Sequence, residues 1–433
     1  MTRWLAVGLV ACVGCGGRAE PVDPVGPVDP DPIAHESEAE HPRTEDREHQ
    51  QRRPEPLAIW VGGDVLLSEA IRDYANSFDD PVEGMARVLE PVSRLWNVDP
   101  GAFVIVNLET PVADERRFAI DAEPPNENGL TAVHLQGPSW LLPGLARAGV
   151  DAVTLANNHA LDQDREGLAE TIAAANRAGL LVTGAGIYPR FVWPLVLGDE
   201  DAPVVVLNFY DGRGRGYVEP PDPALSFLEE RAYAHVRAAK ELSGARVIVI
   251  VHVLGELVDE PEDEWRGWAM RLAEEGADAI LVHGTHVVMP VETLEVGERS
   301  VPIAWGLGNF VSDMGRLANP TQRGAQPKVR SALVHEQLMA RVEVGEQIEI
   351  RYLPMWMYDD RYARWHRALE GDLIELSVLP LSACEVAVSL PEVGQPWRTE
   401  LETWITERRD HIVDVSGLRM GPCAEGAPTW LSK

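Results

Sequence analysis

Seven short runs, each five to seven residues long and rich in β-branched side chains, recur from residue 57 onward. They are LAIWVGG at 57–63, FVIVN at 103–107, DAVTLA at 151–156, PVVVLNF at 203–209, RVIVIV at 246–251, DAILV at 278–282 and PIAWGL at 302–307. Runs this apolar suit strands that are covered on both faces. Amphipathic stretches separate several of them. Residues 139–148 put Trp140, Leu141 and Leu145 on one side and stop at Gly149; residues 165–178 put Leu168 and Ile172 together and stop at Gly179; residues 264–275 stop at Gly276. Glycine just past the last turn is the expected left-handed helix stop. Helix, glycine, apolar strand, repeated, is the grammar of an α/β fold.

The residues at the carboxyl ends of these strands narrow the function. Asp64 comes after the first run, Asn107 and Glu109 end the second, and Asn157, Asn158 and His159 come after the third. His252 comes after the fifth, His283 and His286 after the sixth, and Asn309 after the seventh. Ligands of α/β sheets bind beyond the carboxyl ends of the strands. Carboxylate, amide oxygen and imidazole together suit Mn²⁺, Fe, Zn²⁺ or Mg²⁺. A single strand-end Asp or Asn is usually a turn former, but recurrence at six strand ends predicts one converging metal or polar-ligand site. His134, His235, His335, His366 and His411 lack that setting and are expected to be structural or superficial.

Charge and the flanking segments set further bounds. Of 433 residues, 69 are acidic and 38 basic, a net charge of −31, and only Lys240, Lys328 and Lys433 are lysines. A nucleic-acid binder needs a cationic footprint, and electrostatic docking on anionic lipid is disfavoured for the same reason. Residues 1–16 have one early cation (Arg3), an apolar run from Trp4 to Ala11, and small residues. That run is too short to span a bilayer and reads as a signal segment. Leu9-Val10-Ala11-Cys12 resembles a bacterial lipobox, which predicts lipidation of Cys12 and an extracytoplasmic, membrane-tethered protein. Residues 17–56 hold eight prolines and no aromatic residue, so a disordered acidic linker is expected. Cys384 and Cys423 are expected to pair in an oxidising compartment. Residues 356–433 read as a small α+β extension without chemistry, with strands in 373–381 and 384–390 and a short helix over 399–409. The acidic run 259–264 reads as a solvated loop.

The order GD (63–64), NLETP (107–111), LANNHALD (155–162), His252, H-G-T-H (283–286) and GLGNF (306–310) resembles the CapA family, associated with poly-γ-glutamate capsule synthesis and grouped with calcineurin-like metallophosphatases. The resemblance covers about residues 57–355. It implies a metallophosphoesterase-like sandwich of two sheets flanked by helices. It also implies a shell of Asp64, Glu109, Asn158, His252, His283 and His286 around one or two divalent ions. By the same resemblance His159 faces the substrate, and Asp162 either orients that imidazole or caps the next helix. Asn157 and Asn309 support the site through the backbone, and Asn107 and Glu256 are substrate-side or supporting groups. The implied activity is phosphoester-type hydrolysis; the alternative is a non-catalytic surface protein that binds or passes on an anionic capsular polymer. The chain departs from standard two-metal phosphoesterases: Leu66 stands where Asp-x-His would place a histidine, and Glu109 replaces an aspartate. Gly284 and Thr285 replace a bulkier pair, which predicts a wider pocket.

Overall fold

The apolar runs fold as strands and divide between two sheets. The computed structural model describes residues 57–67, 69–99, 101–115, 134–187, 194–199, 201–212, 224–312, 314, 332–359, 376–381, 395–422 and 429–433. The lipobox Cys12, the linker 17–56, the expected strand 384–390, and both Cys384 and Cys423 lie outside them.

The chain enters through β1 (Leu57–Val65), continues through α1 (Glu69–Asn76) and α2 (Pro81–Asn97), and returns as β2 (Ala102–Leu108), parallel to β1. Then come α3 (Leu141–Arg147), β3 (Ala152–Thr154), α4 (Asp164–Ala178) and β4 (Leu181–Thr183), each new strand parallel to the last. Asp80 caps α2 by accepting from the Val82 N–H, and α4 ends where Gly179 turns left-handed at φ 83°. The second sheet opens with the hairpin β5 (Leu195–Asp199) and β6 (Ala202–Tyr210). It continues through α5 (Glu230–Lys240), β7 (Arg246–His252), α6 (Asp263–Glu274) and β8 (Ala279–His283), and ends with β9 (Val291–Val296) and β10 (Arg299–Ala304). Its order is β5-β6-β7-β8-β10-β9.

The chain then returns to the first sheet as β11 (Asn309–Val311), which lies parallel beside β1. The strand expected over 302–307 therefore ends at Ala304, and Asn309 begins a new strand in the opposite sheet. The dipeptide Leu307-Gly308 lies between them and carries the crossing. Three antiparallel strands come next: β12 (Glu336–Val344), β13 (Ile348–Asp359) and β14 (Leu376–Pro380). The helix α7 (Gln395–Ser416) and the short β15 (Arg419–Met420) and β16 (Leu431–Ser432) complete the described chain. The boundary expected at residue 355 falls inside β13, and β14 and β16 hydrogen-bond to that strand. Residues beyond 355 thus continue the first sheet.

Strand alternation builds the layers. Ile59, Val61, Phe103 and Ile105 of the first sheet bury against Val204, Val206, Ile248, Ile250 and Leu281 of the second. The opposite faces carry Trp60, Val104 and Val106 against α2 and α3, and Val205, Val247 and Val249 against α5 and α6. The result is the expected α/β sandwich, two sheets face to face with helices outside.

Candidate metal centre

The carboxyl ends of β1, β2 and β3 from one sheet, and of β7 and β8 from the other, meet at one buried point. Asp64 lies near the end of β1 with Asn107 of β2 and Asn309 of β11 as its lateral partners. The ladder is irregular there, between residues 61 and 65. Its Oδ1 accepts from Asn107 Nδ2 at 2.8 Å and its Oδ2 from the Gly284 N–H at 3.0 Å. Gly284 sits at φ 92°, and a Cβ there would collide with the Val253 carbonyl oxygen and the His252 ring. The expectation that Gly284 widens the pocket is thus corrected: its small size admits backbone, not ligand. Thr285 is turned inward and donates to the Val287 carbonyl at 2.8 Å.

His252 and His283 are the last residues of β7 and β8 and are direct lateral partners. Their Nδ1 atoms lie 2.9 Å apart, and His252 Nε2 lies 2.8 Å from Asn158 Oδ1. His286 comes next on a tight turn with φ 57°, a conformation costly for a non-glycine residue. The Asn309 amide explains how it is held. Asn309 Nδ2 donates to the Val334 carbonyl at 3.0 Å, so its Oδ1 faces His286 Nδ1 at 2.9 Å. That contact makes Nδ1 the protonated nitrogen and turns Nε2 toward Glu109.

Glu109 is the anomaly. It is fully buried, and neither carboxylate oxygen has a hydrogen-bond partner among the described residues. Its Oε1 instead faces three imidazole nitrogens across gaps: His286 Nε2 at 3.8 Å, His252 Nε2 at 3.9 Å and His159 Nε2 at 3.9 Å. A buried carboxylate left unpaired is expensive, and a cation in that gap would pair it. Two donor triads result, Asp64–His252–His283 and Asp64–Glu109–His286, and they share Asp64. The donor set and the orphaned carboxylate both fit a metal ion.

The electrostatics agree. Burial opposes ionisation of Asp64, but the His286 contact and the imidazoles around it outweigh that and hold it well below the usual carboxylate range. Burial, reinforced by Asp64, lifts Glu109 to about 8 despite the His286 ring. Burial would lower His286, yet the Glu109 and Asp64 carboxylates push it up to about 10. Burial lowers His283 to about 4 and holds His252 well below the imidazole range. The cluster therefore gathers one positive charge on His286, where a metal would displace a proton.

His159 stands at the mouth of the site with 14% of its side chain exposed. Asp162 Oδ2 lies 2.7 Å from its Nδ1 and also accepts from the Leu135 N–H at 2.5 Å. Of the two roles open for Asp162, orienting the imidazole is the one realised; α4 begins at Asp164 and its cap carries no such bond. Burial lowers His159, but Asp162 more than offsets this and raises it. Asn157 ties the loop together: its Nδ2 donates to the Leu108 carbonyl at 2.9 Å, and its Oδ1 accepts from the His159 N–H at 3.1 Å. Glu256 is exposed, and its charge reaches Glu109 and His286 from the rim.

Sequence reasoning passed over three supporting groups. Thr154 Oγ1 donates to Asn107 Oδ1 at 3.2 Å and lies 3.4 Å from His283 Nε2. Asn208 of β6 accepts from the Ala156 N–H at 2.9 Å and donates to the Ile250 carbonyl, joining the sheets. Tyr210, also on β6, packs its ring 5.9 Å from that of His252. A polar residue inside PVVVLNF was the one available signal.

Comparisons with known proteins identify the family. Residues 58–314, more than half of the chain, match the model of the bacterial capsule synthesis protein PGA_cap. The chain is 27% identical over 271 residues to the capsule biosynthesis protein CapA of Bacillus anthracis, covering 61% of this chain and 62% of that one. It is 24% identical over 276 residues to the PGA biosynthesis protein CapA of Bacillus subtilis, covering 60% and 64%. The chain thus spans just under two thirds of the length of these relatives. Among solved structures, the calcineurin-like phosphoesterase YfkN of Bacillus subtilis aligns with 83% of this chain and 98% of its own at 12% identity and TM-score 0.38. With its match across the motifs that form the centre, the chain belongs to the bacterial capsule synthesis protein family, PGA_cap.

Proposed function

We propose that this protein is a metal-dependent hydrolase of phosphoester-type substrates that serves capsular poly-γ-glutamate synthesis. The observation that carries the reading is Glu109, a buried carboxylate without a hydrogen-bond partner among the described residues, facing three imidazole nitrogens at 3.8–3.9 Å. Asp64, Glu109 and His286 are residues that would hold a divalent cation (Mn, Fe, Zn or Mg), and Asn158, His252 and His283 lie beside them. Such an ion, when bound, polarises a phosphoryl oxygen and lowers the pKa of a water. The protein's own groups do the rest. Asp162 keeps the proton on His159 Nδ1, so Nε2 is the nitrogen that exchanges a proton at the mouth of the site. His159, whose pKa Asp162 raises, serves as a general acid toward a leaving alkoxide. Gly284 and Asn107 fix Asp64 with two N–H donors, so the carboxylate is oriented before any ligand arrives.

With a net charge of −31, an anionic polymer or phosphoester would be met through a bound cation rather than through a basic face. Tethering by a lipid on Cys12 outside the cytoplasm belongs to the same proposal, and a Cys12→Ser variant leaving the membrane fraction would support it. The main test is elemental analysis of tag-free protein together with hydrolysis of bis-p-nitrophenyl phosphate. Bound stoichiometric metal and loss of turnover in His159→Ala support the reading. Absence of metal with unchanged turnover in that variant would overturn it.

A further inference from the structure

We infer that the centre takes a single divalent cation, at Asp64, Glu109 and His286, and that the Asn107 amide closes the neighbouring Asp64–His252–His283 triad to a second. The inference rests on the metal reading above and goes beyond it by assigning stoichiometry and position. Both triads share Asp64 and both are buried, so donor type and burial do not separate them. Hydrogen bonding does.

Two amides, each oriented by the backbone around it, make the difference. Asn157 is pinned at both ends, its Nδ2 on the Leu108 carbonyl and its Oδ1 under the His159 N–H. It therefore offers an N–H, not an oxygen, to Asn107, whose Oδ1 accepts it at 3.2 Å. Thr154 Oγ1 adds a second donor to the same oxygen, also at 3.2 Å. With its oxygen held by two donors, Asn107 must turn its NH₂ the other way. That NH₂ lies 2.8 Å from Asp64 Oδ1 and 3.3 Å from His252 Nδ1.

An amide nitrogen has no lone pair for a metal and brings two protons. Placed against Asp64 Oδ1 and His252 Nδ1, it uses the lone pairs that a cation in this triad would need. His283 Nδ1, 2.9 Å from His252 Nδ1, completes a closed network in which a shared proton occupies the remaining contact. In the other triad the contacts fall on Asp64 Oδ2, which accepts from the Gly284 N–H at 3.0 Å and lies 3.4 Å from His286 Nδ1, and they leave Glu109 untouched. Glu109 has no partner on either oxygen among the described residues, and the Asn309 contact on His286 Nδ1 turns His286 Nε2 toward it at 3.8 Å. Glu109 is the open valence, and Asn107 is the plug.

The test uses the full chain, stripped with chelator, dialysed, and titrated with Mn²⁺ alone, read by calorimetry and by electron paramagnetic resonance. The expected result is one equivalent with the hyperfine pattern of an isolated Mn(II). Glu109→Gln should weaken that ion by more than the ~10–100-fold that outer partners of metal ligands are worth. His283→Gln should keep one equivalent with affinity within that range of the parent. Asn107→Asp keeps an acceptor for Thr154 and Asn157 but replaces the donor by a carboxylate oxygen, and should acquire a second equivalent and a spin-coupled spectrum. Two equivalents with a coupled spectrum in the parent protein overturn this inference and leave the hydrolase reading standing. No equivalent at all overturns both. A folded Asn107→Asp that still takes one ion overturns the role given to Asn107. Should the variants not fold, the parent stoichiometry decides alone.

Discussion

The two sheets bring different chemistry to the same seam. The first delivers carboxylates and amides, with Asp64 on β1, Asn107 and Glu109 at the end of β2, Asn157 and Asn158 after β3, and Asn309 on β11. The second delivers imidazoles, with His252 and His283 as the terminal residues of β7 and β8 and His286 just beyond. Burial lowers His252 and His283, so the second sheet contributes neutral imidazoles there. The first contributes carboxylates, Asp64 held by two N–H donors and Glu109 without a hydrogen-bond partner among the described residues. Neither half is a site by itself. A cation at the seam would draw on both, on Asp64 and Glu109 from the first sheet and on His286 from the second.

The largest break in this comparison is Asp64→Asn, which removes the carboxylate that both triads share. Loss of the ion and of several kcal/mol of transition-state stabilisation should lower phosphodiesterase turnover on the order of 10⁴-fold, with metal content falling in parallel. His159→Ala acts at the mouth instead of the seam. It should lower turnover by ~10²–10³-fold, within the range of a general acid, while metal content stays at the parent value. The pair separates holding the ion from moving the proton, and equal metal loss in both variants would dissolve the distinction.

How much of this was legible in the chain differs between the sheets. The donors of β7 and β8 could be read directly, because a histidine closing a run such as RVIVIV is the last residue of a buried parallel strand and has one direction to face. The donors of the first sheet were read as types but not as a circuit. Asn309 comes after an apolar run that looks like any other, yet the chain crosses to the opposite sheet between Ala304 and Asn309; apolar grammar carries no label for the sheet a strand joins. Gly284 read as space, whereas its left-handed turn against the Val253 carbonyl makes it a close contact between backbone segments. The absence of a hydrogen-bond partner on Glu109 among the described residues is a property of three dimensions, invisible in NLETP. Asn208 lay hidden inside an apolar run because a strand buried on both faces leaves no periodic cue for one polar residue.

Asn208 also offers a thermodynamic test of the seam. It belongs to the second sheet, yet its Oδ1 accepts from the Ala156 N–H in the loop that carries Asn157 and Asn158. Asn208→Leu removes that acceptor and leaves a buried N–H unpaired, at a cost of about 1–3 kcal/mol in chemical denaturation. The expected signature is destabilisation together with weaker metal retention, since the loop it anchors also holds Asn158 against His252. A loss of stability with full metal affinity would show that the sheets are coupled by packing alone.

The smallest effect tests the first sheet away from the seam. Asp99 receives a two-pronged contact from Arg341 of β12, at 2.7 and 2.9 Å, and a bond from the Trp60 indole of β1 at 2.8 Å. Burial opposes its ionisation, but Arg341 and Trp60 prevail and lower it below the ordinary aspartate value of 3.8. Because the folded form binds its proton less readily than the unfolded chain, the stability from this carboxylate is complete above the unfolded value. It is lost as pH falls through the folded one. Asp99→Asn should therefore cost about 1 kcal/mol near neutral pH and progressively less as pH drops below 4. Since Asp99 sits at the opposite end of β1 from Asp64, metal affinity should not move with it. A change in metal affinity would mean that β1 transmits strain along its length, and that the seam is less self-contained than its hydrogen bonds imply.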